Sequence, residues 1–204
     1  MIIERILQDR IVAIFRGVSA EDLVSVAGIL AEEGIRVMEV ALSEPQALPA
    51  LRHLRAAMAG QDLLIGAGTV VTVDLARKAL DAGADFLITP HVAPDVIKFA
   101  VQAGVPVLPG ALTPTEVYTA MQLGAELVKI FPAASMGPGH IKALLGPYPG
   151  ARMVPTGGIT PENANEYLRA GAVALGVGGG LVDARNLSGV RDKARALVQT
   201  VSRA

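Results

Sequence analysis

Residues 113–132 read TPTEVYTAMQLGAELVKIFP and hold one whole helix-to-strand unit. Thr113 sets a capping side chain before Pro114, whose fixed φ suits a first helical turn, and Glu116 adds an early carboxylate. The helix predicted over Pro114–Leu123 ends at Gly124, the residue type that most easily closes a helix in the left-handed conformation. The apolar run Leu127–Phe131 then reads as a strand.

The same unit recurs in both directions along the chain. Strands are predicted over Ile11–Phe15, Val37–Leu42, Leu63–Ala67, Phe86–Thr89, Pro106–Pro109, Leu127–Phe131, Arg152–Pro155 and Val173–Val177. Between them the pattern predicts helices over Ala20–Glu33, Pro45–Met58, Val73–Ala82, Pro94–Ala103, Pro114–Leu123, His140–Leu145, Pro161–Ala170 and Val190–Val201. Gly34, Gly83, Gly104 and Gly171 punctuate helix ends as Gly124 does, and Thr160-Pro161-Glu162 repeats the start signal of Thr113–Glu116. Strand-to-strand spacing of roughly 20 to 27 residues is too long for hairpins and right for βαβ units. Eight units in about the shortest length the architecture allows predict an α/β fold, a (β/α)8 TIM barrel. An open doubly wound sheet is the rival, which eight units overfill. Met1–Asp9 reads as an extra N-terminal helix closing one end of the barrel. No linker or low-complexity stretch interrupts the pattern, so residues 1–204 are expected to form a single domain.

Composition excludes several function classes. The chain has 51% hydrophobic residues, enough for a large core, yet no apolar run long enough to span a bilayer. Glu4 and Arg5 interrupt the start where a signal peptide would stay apolar, so a soluble cytoplasmic protein is expected. Without cysteine there is no disulfide, thiolate metal site or thiol nucleophile. A net charge of -1 and 3% aromatics argue against nucleic acid as a partner, and three scattered histidines argue against a histidine metal centre.

In a barrel, reactive groups gather at the C-terminal ends of strands. Lys129 lies between Val128 and Ile130, and Glu39 lies in the apolar run Val37–Leu42; they are the charges set deepest within strands. Facing inward, such a lysine is desolvated, which favours the neutral amine a nucleophile needs, and the glutamate could move protons beside it. The bland readings are a lysine snorkelling outward or a structural ion pair. Gly66-Ala67-Gly68-Thr69 reads as a loop after the third strand and lacks the third glycine of a dinucleotide fingerprint. Gly-rich turns after strands seven and eight, Thr156-Gly157-Gly158 and Gly176–Gly180, could present N–H groups to a phosphate or carboxylate, or simply close tight corners. Arg16, after the first strand, could grip an anion with two hydrogen bonds. Pro90 and His91 end the fourth strand; His91 reads as a rim residue or a participant, and His53 and His140 as helix-surface residues.

"VMEVAL" around Glu39, "GAGTV" at 66–70, "TPH" at 89–91, "PG" at 109–110, "VKIFPA" around Lys129 and "PTGGI" at 155–159 stand in an order that resembles one family, the 2-dehydro-3-deoxy-6-phosphogluconate (KDPG) and 4-hydroxy-2-oxoglutarate (KHG) aldolases. The resemblance runs over roughly Ile6 to Val198 and implies a homotrimeric class I aldolase that needs no metal or other cofactor. It implies a Schiff base on Lys129, proton transfer by Glu39, a pyruvate end lined by Arg16, Thr69, Pro90 and Phe131, and phosphate binding by Gly157, Gly158, Gly178 and Gly179. Two departures stand out. Some members carry an arginine where this chain has Ser43 or Glu44, and some place a serine in the last phosphate loop, where this chain has only Gly178–Gly180. The expected reaction yields pyruvate and glyceraldehyde 3-phosphate, or glyoxylate from the shorter substrate. The alternatives are a phosphate-binding isomerase or epimerase with Glu39 as base, and a non-catalytic sugar-phosphate binding protein.

Overall fold

A computed structural model describes residues 1–203. Helices α1 (Ile2–Asp9), α2 (Ala20–Glu32), α3 (Ala47–Ala57), α4 (Val73–Asp81), α5 (Pro94–Gln102), α6 (Pro114–Gln122), α7 (Pro138–Leu145), α8 (Ala164–Arg169) and α9 (Leu187–Ser202) alternate with strands. The strands are β1 (Ile11–Phe15), β2 (Val37–Ala41), β3 (Leu64–Gly68), β4 (Leu87–Ile88), β5 (Val107–Leu108), β6 (Gly110–Ala111), β7 (Val128–Ile130), β8 (Met153–Pro155) and β9 (Leu175–Val177). The strand expected over Pro106–Pro109 is thus divided. Pro109 has no N–H to give to a ladder, so β5 pairs with β4 while β6 pairs with β7.

Every named pairing is parallel, in the orders β5-β4-β3-β2-β1-β9 and β6-β7-β8. A parallel bridge between Thr156 and Gly176 joins the end of β8 to β9. Alternate strand residues separate into two packed regions, as the period of two requires. One cluster gathers Val12, Val37, Phe86, Ile88, Leu108, Leu127, Val154 and Ala174, together with Ile3 and Ile6 of α1. The other collects the opposite strand faces, among them Ala13, Met38, Ile65, Val128, Ile130 and Met153, with the apolar faces of the remaining helices. The sheet is therefore curled around the first cluster and clad by helices on its outer face. Two residues further along the strands, Val37 is succeeded by Glu39, Leu127 by Lys129 and Val154 by Thr156. The polar layer lies directly above an apolar plug.

Local signals explain most helix boundaries. Thr113 Oγ1 accepts the Glu116 N–H at 3.4 Å, and Glu116 Oε2 accepts the N–H groups of Leu112 and Thr113 at 2.9 and 2.8 Å. Those bonds hold the Glu116 carboxyl below its ordinary pKa, the Thr113 N–H contributing most. Thr113→Ala removes one half of this reciprocal cap and should cost about 1 kcal/mol in urea unfolding. An unchanged midpoint would show that the cap contributes nothing. The five glycines expected to end helices all have positive φ, Gly124 at 95°. The Thr160 start signal was misleading: Asn163 Oδ1 accepts the Thr160 N–H and its amide donates to the Gly158 carbonyl, holding 160–163 as a turn so that α8 begins only at Ala164. Across the joint between chain ends, Arg191 and Arg195 of α9 bind Glu33 at 2.8 and 3.0 Å, tying the last helix to α2. Among the described residues no helix is long and apolar enough to cross a membrane.

Candidate active site

The strand register brings the two sequence-predicted charges into one layer. Glu39 stands opposite Ile14 on one side and Gly66 on the other; Lys129 stands opposite Gly110 and Val154. Lys129 is 5% exposed and Glu39 is fully buried. Among the described residues neither carboxylate oxygen of Glu39 has a hydrogen-bond partner, which is rare for a buried acid and unlike a saturated structural ion pair. Burial pushes the Glu39 carboxyl above the ordinary glutamate range, and the positive charges of Lys129 and Arg16 oppose that rise only in part.

The raised pKa fixes a sign for stability. Above the ordinary value of 4.5 the unfolded chain releases this proton while the folded chain retains it, so Glu39 lowers stability as pH rises toward its folded pKa. Glu39→Gln should therefore be more stable than the parent at neutral pH, with the difference shrinking toward pH 4.5. Denaturant midpoints across pH 4.5–8 check this; a gap that widens toward acid would contradict the burial argument.

Around this pair the inward positions are occupied largely by glycine: Gly66, Gly68, Gly110, Gly176 and Gly178. The stretch Gly66-Ala67-Gly68, expected as a loop with part of the third strand, lies entirely within β3, paired with Glu39, Val40 and Ala41. Gly176 and Val177 likewise belong to β9, so the last loop starts at Gly178. Their absent side chains leave room above the plug. Thr69 follows β3 half-buried, in the left-handed region at φ 59°, a conformation that non-glycine residues adopt mainly where surrounding structure holds them. Pro90 lies two residues beyond β4, half-buried, its carbonyl closed against Gly110, where a Cβ would overlap it. The Phe131 ring centroid lies 5.3 Å from Lys129 Nζ, and the side chain is 38% exposed, so it forms a lip over the amine. Arg16 is exposed and its guanidinium donates to Ser43 Oγ at 2.7 Å, which fixes the head of a long side chain beside the pair.

The two glycine turns are brought to the same end of the sheet by the Thr156–Gly176 bridge. Gly157 and Gly158 both have positive φ and pack against Phe131 and Ala134, while Gly179 is exposed with open space around it. Among the described residues no protein acceptor takes the N–H of Gly157, Gly158 or Gly179.

In the sequence Thr156 stands out only as the start of a glycine turn. It is 5% exposed, its hydroxyl donating to the Val154 carbonyl at 3.2 Å, and it shares the inward face with Lys129. The alternation beyond Val154 was the available signal. His140, assigned no role, holds the Leu112 carbonyl through Nε2 at 2.7 Å and ties the start of α7 to the loop before α6. His91 is exposed; its carbonyl accepts the buried Thr89 hydroxyl.

A buried amine beside a buried acid, in a layer open at one end, is equipped to form an imine and shuttle a proton at its neighbouring carbon. Comparison with known proteins agrees. The family model for KDPG and KHG aldolase matches residues 2–196. The 2-dehydro-3-deoxy-phosphogluconate aldolase of Haemophilus influenzae is 39% identical over 82% of this chain and 78% of its own. The solved 4-hydroxy-2-oxoglutarate/2-dehydro-3-deoxyphosphogluconate aldolase from TTHB1 superposes with a TM-score of 0.85, at 38% identity and covering 96% of each chain. A KDPG aldolase from Legionella pneumophila, solved with pyruvate captured as a covalent carbinolamine intermediate, superposes with a TM-score of 0.81, at 29% identity over 94% of this chain and 92% of that one. With the family model matching nearly the whole chain, and relatives this similar along most of it, the protein belongs to the KDPG and KHG aldolase family.

Proposed function

We propose that the protein is a class I aldolase that cleaves 2-dehydro-3-deoxy-6-phosphogluconate to pyruvate and glyceraldehyde 3-phosphate, and 4-hydroxy-2-oxoglutarate to pyruvate and glyoxylate. The observation that carries this reading is the meeting of buried Lys129 with a buried, unpartnered Glu39 in one layer above an apolar plug. Lys129 Nζ attacks the C2 carbonyl, and loss of water from the carbinolamine leaves an iminium. Glu39 takes the C4 hydroxyl proton, the C3–C4 electrons flow into the iminium, and the aldehyde departs from the resulting enamine. Glu39 returns a proton to C3, and water hydrolyses the imine to free pyruvate and the amine.

Arg16 and Thr69 hold the pyruvyl carboxylate in this scheme, and Pro90 and Phe131 wall the imine from water. Gly157 and Gly158 after β8, and Gly178 and Gly179 after β9, offer backbone N–H groups to the phosphate, the usual use of turns after the last two strands of such a barrel. The fold reading extends to a single-domain (β/α)8 barrel with α1 as its extra helix. It is supported by the Thr156–Gly176 bridge between the ends of β8 and β9, and by the continuous stretch 107–111, whose first part (β5) pairs with β4 and whose second part (β6) pairs with β7. Packing of Ile3 and Ile6 beneath the plug supports α1 as its lower closure. The family resemblance extends the proposal to a cytoplasmic homotrimer, for which Val71, Val101 and Tyr118 offer exposed apolar surface.

Borohydride reduction with pyruvate, followed by peptide mass mapping, tests the mechanism. A reduced pyruvyl adduct on Lys129 is expected. No adduct on any lysine would move the isomerase reading, in which Glu39 is the base, to the front.

A further inference from the structure

Gly68 has an ordinary strand conformation, so its backbone does not call for glycine. What calls for it is space. A Cβ built on Gly68 would overlap Oε1 and Cδ of Glu39 and lie 2.7 Å from Cγ. The carboxylate thus occupies the place that any side chain at residue 68 would take. Gly66, two residues earlier on the same face, is explained the same way one layer down, where the ring of Phe86 fills the equivalent space.

The Glu39 carboxylate also has no hydrogen bond to hold it. Its position is therefore set by packing, and the floor it rests on is the bare Cα of Gly68. We infer that Gly68 is the positioning residue for proton transfer, admitting the Glu39 carboxylate to the layer of Lys129 and determining where it lies. This rests on the Schiff-base reading above. An added methyl would have to push the carboxylate away by about 2 Å to restore ordinary contact. Displacing a catalytic group by about 1 Å can cost on the order of 100-fold in rate.

Two readouts separate positioning from general disruption: borohydride trapping of pyruvate on Lys129, which needs the amine, and deuterium exchange at C3 of pyruvate, which also needs the proton carrier. Gly68→Ala should still trap pyruvate while exchanging about 100-fold more slowly or worse. In a Glu39→Ala background, where the obstructing carboxylate is gone, adding Gly68→Ala should lower neither the residual exchange nor the unfolding temperature any further. Exchange at the parent rate in Gly68→Ala overturns the inference. So does a further loss in the Glu39→Ala background, since the glycine would then serve something other than the carboxylate. If Gly68→Ala fails to fold alone while the double variant folds, the clash with Glu39 is confirmed as the cause. Absence of any adduct in the parent protein is a separate result: it overturns the Schiff-base reading and this inference with it.

Discussion

Lys129→Ala should abolish retro-aldol turnover, by about five decades or more, on the scale seen when a covalent nucleophile is deleted. Lys129→Arg should do the same although it keeps the positive charge, because a guanidinium does not become a free amine near neutral pH. The pair of substitutions separates two roles that a buried cation could play. If Lys129 only polarised a carbonyl, arginine would retain much of the rate. If its nitrogen must bond to C2, neither variant can form the iminium, and borohydride should leave no adduct at residue 129. Substrate should still bind to both variants, since Arg16, Thr69 and the glycine turns are untouched. Single-turnover assays with a calorimetric binding control measure both quantities. Near-parent turnover in either variant would end the Schiff-base proposal.

Glu39→Gln should slow proton transfer by about two to four decades, the usual contribution of a positioned acid or base. Glutamine has the same shape, so it can rest on Gly68 as the carboxyl does and leave Lys129 accessible. Adduct formation with pyruvate should therefore survive while deuterium exchange at C3 collapses. The buried carboxyl is suited to this task because desolvation raises its pKa above the ordinary glutamate range, which makes it a stronger base than an exposed glutamate. Exchange at an unchanged rate in Glu39→Gln would remove Glu39 from the mechanism. Loss of the adduct as well would mean that the acid is needed to form the imine.

The order of elements was legible because its causes are local. A helix start such as Thr113–Glu116 and a helix end such as Gly124 depend on residues within one turn, and the strand at Ile11–Phe15 begins and ends where its apolar run does. Failures arose where a distant or geometric constraint overrode the local signal. Pro109 looked like the end of a strand and instead divides one, because a missing N–H matters only once a neighbour is there to receive it. Thr160-Pro161-Glu162 looked like a helix start, but Asn163 captures the Thr160 N–H first. Gly66–Gly68 looked like a loop because glycine weakens a strand, yet the residues are paired throughout, their missing side chains being needed by Phe86 and Glu39.

The sequence by itself determined the alternation of helices and strands, and it marked Lys129 and Glu39 as charges embedded in apolar strands. Alternation of period two says which residues of one strand share a face; it does not say how that strand is registered against the next. Only the tertiary structure decided that Lys129, Glu39 and Thr156 share one inward face, that Arg16 is held by Ser43, and that His140 reaches Leu112. These contacts join residues far apart in the chain, and their geometry follows from how a curled sheet closes its core around the plug of Val37, Phe86 and Leu127.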